Sequence, residues 1–365
     1  MRILFLSAAN SSHTVKWVNV LAKRGHQILL ASQIDHRDDQ DMLSPLVRVE
    51  YLMHGGAAGY YRNAAQLREL AAVYAPEVAS VHYASGYGTL ARMARLNPIL
   101  LSIWGSDVYD FPKKSRLHRR LVEKNLDYAQ AVASTSLIMA KEAEQYMKVD
   151  TPVFITPFGV DTDLFHPIAR SQPNEFVVGT AKRLESECGV DILLKAFRIF
   201  RTMVRIREPT QKLRLRIYGR GSRYTPLLGL ARELRISEET EFLGQIANDS
   251  VAEALSGMDV VCLPSVRESF GVAAVEAMAC GRALITSGAD GFLETVENDV
   301  TGIILKNLDE NHLANALLGL YSDPLLRRAM GEAGRRRALA LYSLGECAKA
   351  MEEALEYAAH AKGRM

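Results

Sequence analysis

At 365 residues the chain is too long for one ordinary core, so two domains are expected. A composition of 48% hydrophobic and 24% charged residues excludes a disordered chain. The formal net charge of +2 gives no case for a nucleic-acid partner.

The start, RILFLSA, is an apolar run that reads as a buried parallel strand. Asn10, Ser11 or Ser12 can cap a following helix whose apolar face is Val15, Val18, Leu21 and Ala22, closed by Gly25. HQILLAS is the next strand, and strand–helix–strand order signals a doubly wound α/β domain. The pattern continues with PEVASVHY, a helix from about Gly88 to Arg95, PILLSIW and the basic helical stretch KKSRLHRRLVEKNLDYA. AVASTS leads into a helix through Tyr146, and PVFITPFGV ends the half. The Pro-, Asp- and Ser-rich segment FGVDTDLFHPIARSQPNE reads as an interdomain linker.

A second α/β half begins at Phe176 with FVVGTA, the helix DILLKAFRIFRTMV, the strand LRLRIYGRGS and the strand TEFLG. DVVCLPS is a strand, SFGVAAVEAMACG a helix starting near Ser269 or Phe270, and ALITS a strand; the chain is helical from about Asn311 on. The expected domains are 1–165, 166–344 and a C-terminal helix, 345–365, crossing back onto the first. Two such domains facing one another leave a cleft, the usual ligand position.

Four scattered cysteines with no Cys-x-x-Cys pair argue against a zinc site or disulfide framework and suit a reducing compartment. The apolar start is too short for a signal peptide, and no run is long enough to cross a bilayer. A cytoplasmic location is expected.

In ESFGVAAVE, Glu268 and Glu276 bracket an apolar segment. One carboxylate lies at the mouth of a helix and the other along its side. Between them lie the first-turn amides near Phe270, Gly271 and Val272, and Gly271 lets an anion approach the backbone. A ligand with a central diphosphate and hydroxyl-bearing ends would match. The plain alternative is a first-turn glutamate and a solvated one, but Glu276 sits in AVEAMACG, where a charge needs a partner or ligand.

The run from DVVCLPSVRESFGVAAVEAMACG to VTGIIL closely resembles the family 4 glycosyltransferases, retaining enzymes of the two-Rossmann-domain GT-B fold. The resemblance extends to EFLGQI, to the linker GVDTDLF, to YGRGS with Gly219 and Gly221, and to the N-terminal half, covering nearly the whole chain. It implies that Glu268 contacts the donor sugar, that Glu276 holds the ribose, and that the backbone after Ser269 holds the diphosphate of a nucleotide sugar, UDP-linked above all. It also implies a metal-independent hexosyltransferase with no other cofactor, an N-terminal acceptor-binding domain and a C-terminal donor domain. The acceptor would be a saccharide or lipid-linked hydroxyl, in cell-envelope, exopolysaccharide or lipopolysaccharide synthesis.

Cations that neutralise the leaving diphosphate are expected on the loop after the second domain's first strand, GTAKRLESECGVD. By resemblance Arg183 matches the family's arginine in the commoner alignment and Lys182 in a neighbouring subgroup. The family's lysine falls on Cys188, which carries no positive charge. Either Lys182 and Arg183 together do the pair's work, or catalysis is weakened.

In the first half, AANSSHT stands where many relatives have a glycine-rich turn. A subgroup with a similar start places His13 and its neighbour Ser12 toward the acceptor or donor phosphate; a plain N-cap is the alternative for Ser12. SIWGSDV resembles a His-Gly-x-Asp segment in which Trp104 replaces the histidine; it either stacks on a sugar or packs in the core. Asp107 is a candidate for acceptor contact or weak base action. His82 and His118 are weaker candidates. The basic stretch KKSRLHRRLVEK is either a solvated helix face or an attachment to an anionic membrane surface on the cytoplasmic side. Asp161-Thr162-Asp163 spells a metal-type D-x-D, read as structural within the linker, and the incomplete Gly219-x-Gly221 does not support a nicotinamide site. Two rival functions remain: a nucleotide-sugar epimerase, and a non-catalytic partner subunit.

Overall fold

A computed structural model describes residues 1–38, 41–148, 150–169 and 174–361. It divides into two compact units: residues 1–158 with 345–365, and residues 159–344. The division precedes the 165/166 boundary expected from composition. The reason is that Val160 bridges Ser343, its amide donates to Tyr342 O, and its carbonyl accepts from Leu344 N. Arg335 Nη1 also donates to Phe165 O, so the early linker is tied into the second unit. Residues 170–173 of the expected linker and 362–365 of the expected C-terminal helix lie outside the described residues.

The first unit holds seven strands: β1 (Arg2–Leu6), β2 (Gln27–Gln33), β3 (Val47–Leu52), β4 (Val78–His82), β5 (Ile99–Ile103), β6 (Ala131–Ser134) and β7 (Val153–Ile155). They are all parallel, in the order β3-β2-β1-β4-β5-β6-β7. Central strands such as β4 and β5 are buried at every position, because helices cover both faces of a parallel sheet. The first helix, Ser12–Lys23, buries Val15, Val18, Leu21 and Ala22 together with Trp17. Ser11 occupies its N-cap position, but no side chain bonds the first turn there. The last helix, Leu344–His360, belongs to this unit from Gly345 on. Its Glu352 accepts from Arg24 at 2.6 Å and pairs with His26 at 2.9 Å.

The second unit holds β8 (Glu175–Ala181), β9 (Lys212–Tyr218), β10 (Thr240–Gly244), β11 (Val260–Leu263), β12 (Ala283–Thr286) and β13 (Ile303–Ile304). Their parallel order is β10-β9-β8-β11-β12-β13, the doubly wound Rossmann arrangement. Leu215, Ile217, Val260 and Cys262 pack with Phe197, Phe200 and Leu317 from the covering helices. In such sheets ligands bind beyond the carboxyl ends of the strands at the point where strand order reverses. Here that point lies between β8 and β11.

Candidate functional site

The chain leaving β8 and the chain leaving β11 meet at this switch point. Lys182 follows β8 directly, and its Nζ lies 2.5 Å from Glu268 Oε2 and 2.9 Å from Ser265 Oγ, both beyond β11. The lysine also sits 5.7 Å from the centroid of the Phe292 ring. The two charged side chains are 15% and 18% exposed, so solvent screens the pair less than a surface salt bridge.

Glycines hold Lys182 in place. Gly219, at φ +137°, follows β9, and a Cβ there would come within 1.8 Å of Lys182 O. Lys182 N donates to Tyr218 O, Leu184 N to Arg220 O and Arg223 N to Leu184 O, lacing the two loops together. A Cβ on Gly221 would meet Leu184 O at 2.3 Å. Gly219 and Gly221 thus act here through close backbone approach to the Lys182 loop. Arg183, by contrast, is 80% exposed and only reaches Glu187 at 4.0 Å. Cys188 is buried in the unit's core, ending a short turn of helix, Ser186–Cys188.

The helix of the glutamate motif spans Val272–Ala279, so it starts later than Ser269 or Phe270. Gly271 takes φ +92°, outside the helical region, and serves as the N-cap. Phe270 is buried and packs edge-on against Tyr342 at 5.7 Å, so its side chain is part of the core. Gly291 N donates to Glu268 O, and a Cβ on Gly291 would come within 2.5 Å of Phe270 N. The amides of Val272 and Ala273 have no hydrogen-bond acceptor among the described residues. Val272, Ala273 and Glu276 are the half-buried positions of a helix otherwise buried, and Glu276 lies one turn beyond Val272 on the same face. Ser269 is half-buried on the loop between Glu268 and the helix. Ser265, Phe292 and Gly291 were not singled out in sequence. Gly291, in GADGFLE, is the one a reader could have flagged, as a glycine beside a carboxylate motif.

In the first unit the candidates split. Trp104 is 7% exposed and is surrounded by His13, His82, Tyr83 and Phe158, with centroids at 5.7, 4.8, 5.2 and 5.4 Å, so it packs in an aromatic cluster. His13 stacks on Phe158 at 3.8 Å, and burial, with the charge of Lys16, lowers its pKa to about 4. Ser12 is exposed at the first position of its helix. Asp107 is buried; its carboxylate accepts from Ala84 N at 2.9 Å, Gly105 N at 2.8 Å and Trp104 N at 3.1 Å. It brackets the ends of β4 and β5, and burial outweighs those amides in raising its pKa. His82 is fully buried, stacks on Phe5 at 4.3 Å and pairs with Ser80 at 3.0 Å. In the D-x-D, Asp161 Oδ1 accepts from Asp163 N at 3.0 Å, shaping a turn. Among the described residues no three His, Cys, Asp or Glu side chains gather as a metal site would require, and no helix is long and apolar enough to cross a membrane.

Comparison with known proteins bears on this arrangement. The family described as glycosyl transferases group 1 matches residues 161–337, and glycosyl transferase 4-like matches residues 2–136. A D-inositol 3-phosphate glycosyltransferase of Pseudarthrobacter chlorophenolicus is 28% identical over 68% of this chain and 60% of its own length. An N-acetyl-alpha-D-glucosaminyl L-malate synthase of Bacillus anthracis is 25% identical over 74% of this chain and 72% of its own. The chain spans 60%, 50% and 52% of the length of the first three curated relatives it matches. Among solved structures, sucrose-phosphate synthase from Thermosynechococcus elongatus superposes with a TM-score of 0.80 at 22% identity, over 97% of this chain and 98% of that one. HepE from Anabaena, in complex with UDP, gives 0.77 at 19% identity, over 98% and 100%. With two Rossmann-like units of the GT-B class, the chain belongs to the glycosyl transferases group 1 family.

Proposed function

We propose that this chain is a retaining glycosyltransferase, moving a sugar from a nucleoside-diphosphate sugar to a hydroxyl of a saccharide or lipid-linked acceptor. The observation that carries the reading is Lys182 Nζ held against Glu268 beside the mouth of the Val272–Ala279 helix. Breaking a glycosidic bond to a diphosphate leaves negative charge on the leaving group, and a fixed cation beside open helix amides stabilises it. Lys182 takes that role here, with the exposed Arg183 free to fold over a bound phosphate. Glu268 receives donor-sugar hydroxyls, and Glu276, on the face that carries Val272, receives the ribose. No metal or other cofactor enters the reading. Neighbours of the same fold are described in complex with UDP and with UDP-glucose, which favours UDP as the nucleotide. Relatives named for inositol phosphate and malate favour a small hydroxylated acceptor; envelope or exopolysaccharide synthesis is the wider setting.

The test is a thermal-shift series with UDP, GDP and ADP and their sugars, followed by an assay for nucleoside-diphosphate release. A UDP-dependent rise in melting temperature that Lys182→Met abolishes supports the reading. No shift with any nucleotide overturns it. A non-catalytic partner subunit is the second reading, favoured by the buried Cys188 at the family's lysine position; binding without turnover would select it.

The basic helix Arg116–Tyr128 adds a location to the proposal. Arg116, Arg120 and Lys124 are exposed and have no acidic partner among the described residues, and Leu117 stands 75% exposed between them. Cations around an exposed apolar side chain suit an anionic lipid surface on the cytoplasmic side, to which the chain would be peripherally bound.

A further inference from the structure

A lysine ammonium is a compact charge with three N–H donors on a flexible stem. It attracts any nearby anion, but it aims at one particular oxygen only when its other N–H bonds are tied down. Lys182 is tied twice: Nζ donates to Glu268 Oε2 at 2.5 Å and to Ser265 Oγ at 2.9 Å. The third N–H has no acceptor among the described residues. The Phe292 ring lies beside the ammonium, its centroid 5.7 Å away.

The two acceptors stand on separate frames. The Glu268 carbonyl accepts from Gly291 N, in the helix Asp290–Thr295. Ser265 lies two residues beyond β11 and is 1% exposed. Its carbonyl accepts from Ser287 Oγ, just beyond β12, and Ser287 Oγ in turn accepts from Ala289 N at 3.3 Å. On the other side Val266 N donates to Glu187 O at 2.8 Å. Gly189, at φ +67°, approaches so closely that a Cβ there would come within 1.9 Å of Pro264 O. The turn that carries Cys188, at the family's lysine position, therefore braces the loop that carries Ser265. Glu268 alone would pair the charge and leave the ammonium free to swivel about the Cε–Nζ bond. A buried hydroxyl held from both sides removes that freedom.

We infer that Ser265 is the positioning residue for Lys182: together with Glu268 it fixes the rotation of the ammonium and leaves a single N–H to meet the donor diphosphate. This role rests on the glycosyltransferase reading above. It separates binding from turnover. The charge of Lys182 attracts the nucleotide whether or not Ser265 is there, so Ser265 adds little to affinity. Aim matters where negative charge develops on the leaving group, so Ser265 adds to the rate.

The test compares Ser265→Ala, Ser265→Thr and Ser287→Ala with the unaltered full chain. Nitrogen-15 NMR of lysine ammonium groups reports the hold, the Lys182 signal being the one missing in Lys182→Met. The unaltered chain shows that signal, and a nucleoside diphosphate (UDP, GDP or ADP) shifts it. Ser265→Ala loses it to fast rotation and exchange, and Ser265→Thr, which keeps the hydroxyl, retains it. In Ser265→Ala the dissociation constant for the nucleotide changes by less than about threefold. Its kcat for nucleoside-diphosphate release falls about tenfold or more, the effect of one hydrogen bond to a charged group, and threonine restores most of it. Ser287→Ala leaves the hydroxyl in place and frees only the carbonyl, so kcat falls by about threefold; this variant carries the test if the threonine methyl lowers the melting temperature. A Lys182 signal that persists in Ser265→Ala, a kcat that does not fall, or a loss that appears in nucleotide affinity instead overturns the inference. If the unaltered chain binds and releases nucleotide and Ser265→Ala behaves like it, only the role of Ser265 falls. If no nucleoside diphosphate binds the unaltered chain, or none is released from any donor sugar, the glycosyltransferase reading falls and takes this role with it.

Discussion

Lys182 and Glu268 are 86 residues apart in sequence and 2.5 Å apart in space, joined across the reversal of strand order between β8 and β11. Each is the other's charge partner, and Ser265 Oγ takes a further hydrogen bond from the lysine. Lys182→Met removes the cation and leaves a partly buried carboxylate unpaired. Release of nucleoside diphosphate should fall by about a hundredfold or more. Stability should drop by about 1–3 kcal/mol, between the surface and buried limits for a broken pair. Glu268→Gln, which keeps the shape, should cost as much activity and less stability. A double-mutant cycle on melting free energy measures the coupling, and additive losses would show that the pair does not act as a unit.

Gly219 is the backbone wedge behind that lysine. Gly219→Ala places a Cβ within 1.8 Å of Lys182 O at a φ of +137°, so strain and clash combine. The expected loss is about 3 kcal/mol, read by urea unfolding, with nucleotide affinity falling in parallel. Gly229 is the contrast: it lies in the Tyr224–Glu233 helix with nothing within 4 Å of its Cβ position. Gly229→Ala should stabilise by about 0.5–1 kcal/mol with binding unchanged. Equal effects at both positions would contradict the wedge.

Much of this was legible in sequence, because parallel strands buried on both faces read as apolar runs and their helices as amphipathic stretches. RILFL, QILLASQ and VVCL are such runs, and each is a strand. VRVEYL does not read as a buried run, because β3 is an edge strand, alternating in sequence and mostly half-exposed, and the helices Gly56–Arg62 and Ala64–Tyr74 beyond it carry few apolar anchors. The Glu268 motif could be placed on a strand–loop–helix, but its start could not be fixed to the residue. Only the positive φ of Gly271 shows that the helix waits until Val272. Adjacent side chains diverge where a strand ends, so whether Lys182 or Arg183 turns inward depends on register, and composition is silent on that. The packing of Trp104 was likewise undecidable, since its partners come from positions 13, 82, 83 and 158.

The basic helix makes a separable prediction. With Arg116, Arg120 and Lys124 changed together to glutamate, the fold should be unaffected, because all three are exposed and make no ion pair among the described residues. Unaltered protein should float with vesicles containing anionic lipid at low salt and be released as salt rises, each cation contributing about 1 kcal/mol near the surface. The triple variant should stay in solution. Vesicle binding that ignores both salt and the substitutions would point away from this helix.

Acid should destabilise the first unit at a pH where carboxylates are still ionised. His82 is fully buried and its pKa is lowered to about 3; His13 is lowered to about 4, by burial and then by the charge of Lys16. Unfolded, both would titrate near 6.5, so the native state binds fewer protons than the unfolded one. Their contribution is therefore complete above about pH 6.5 and is lost as pH falls toward 4 for His13 and 3 for His82. At pH 5 each should have cost about 1–2 kcal/mol relative to pH 7.5, since a full unit is worth about 1.4 kcal/mol. His13→Phe preserves a ring to stack on Phe158 while removing the proton site, so it should flatten the urea-unfolding free energy between pH 7.5 and 5 by that amount. His82→Leu should do the same, at some cost from the lost contact with Ser80. If the double variant loses as much stability as the unaltered chain over this interval, the buried imidazoles are not what acid attacks.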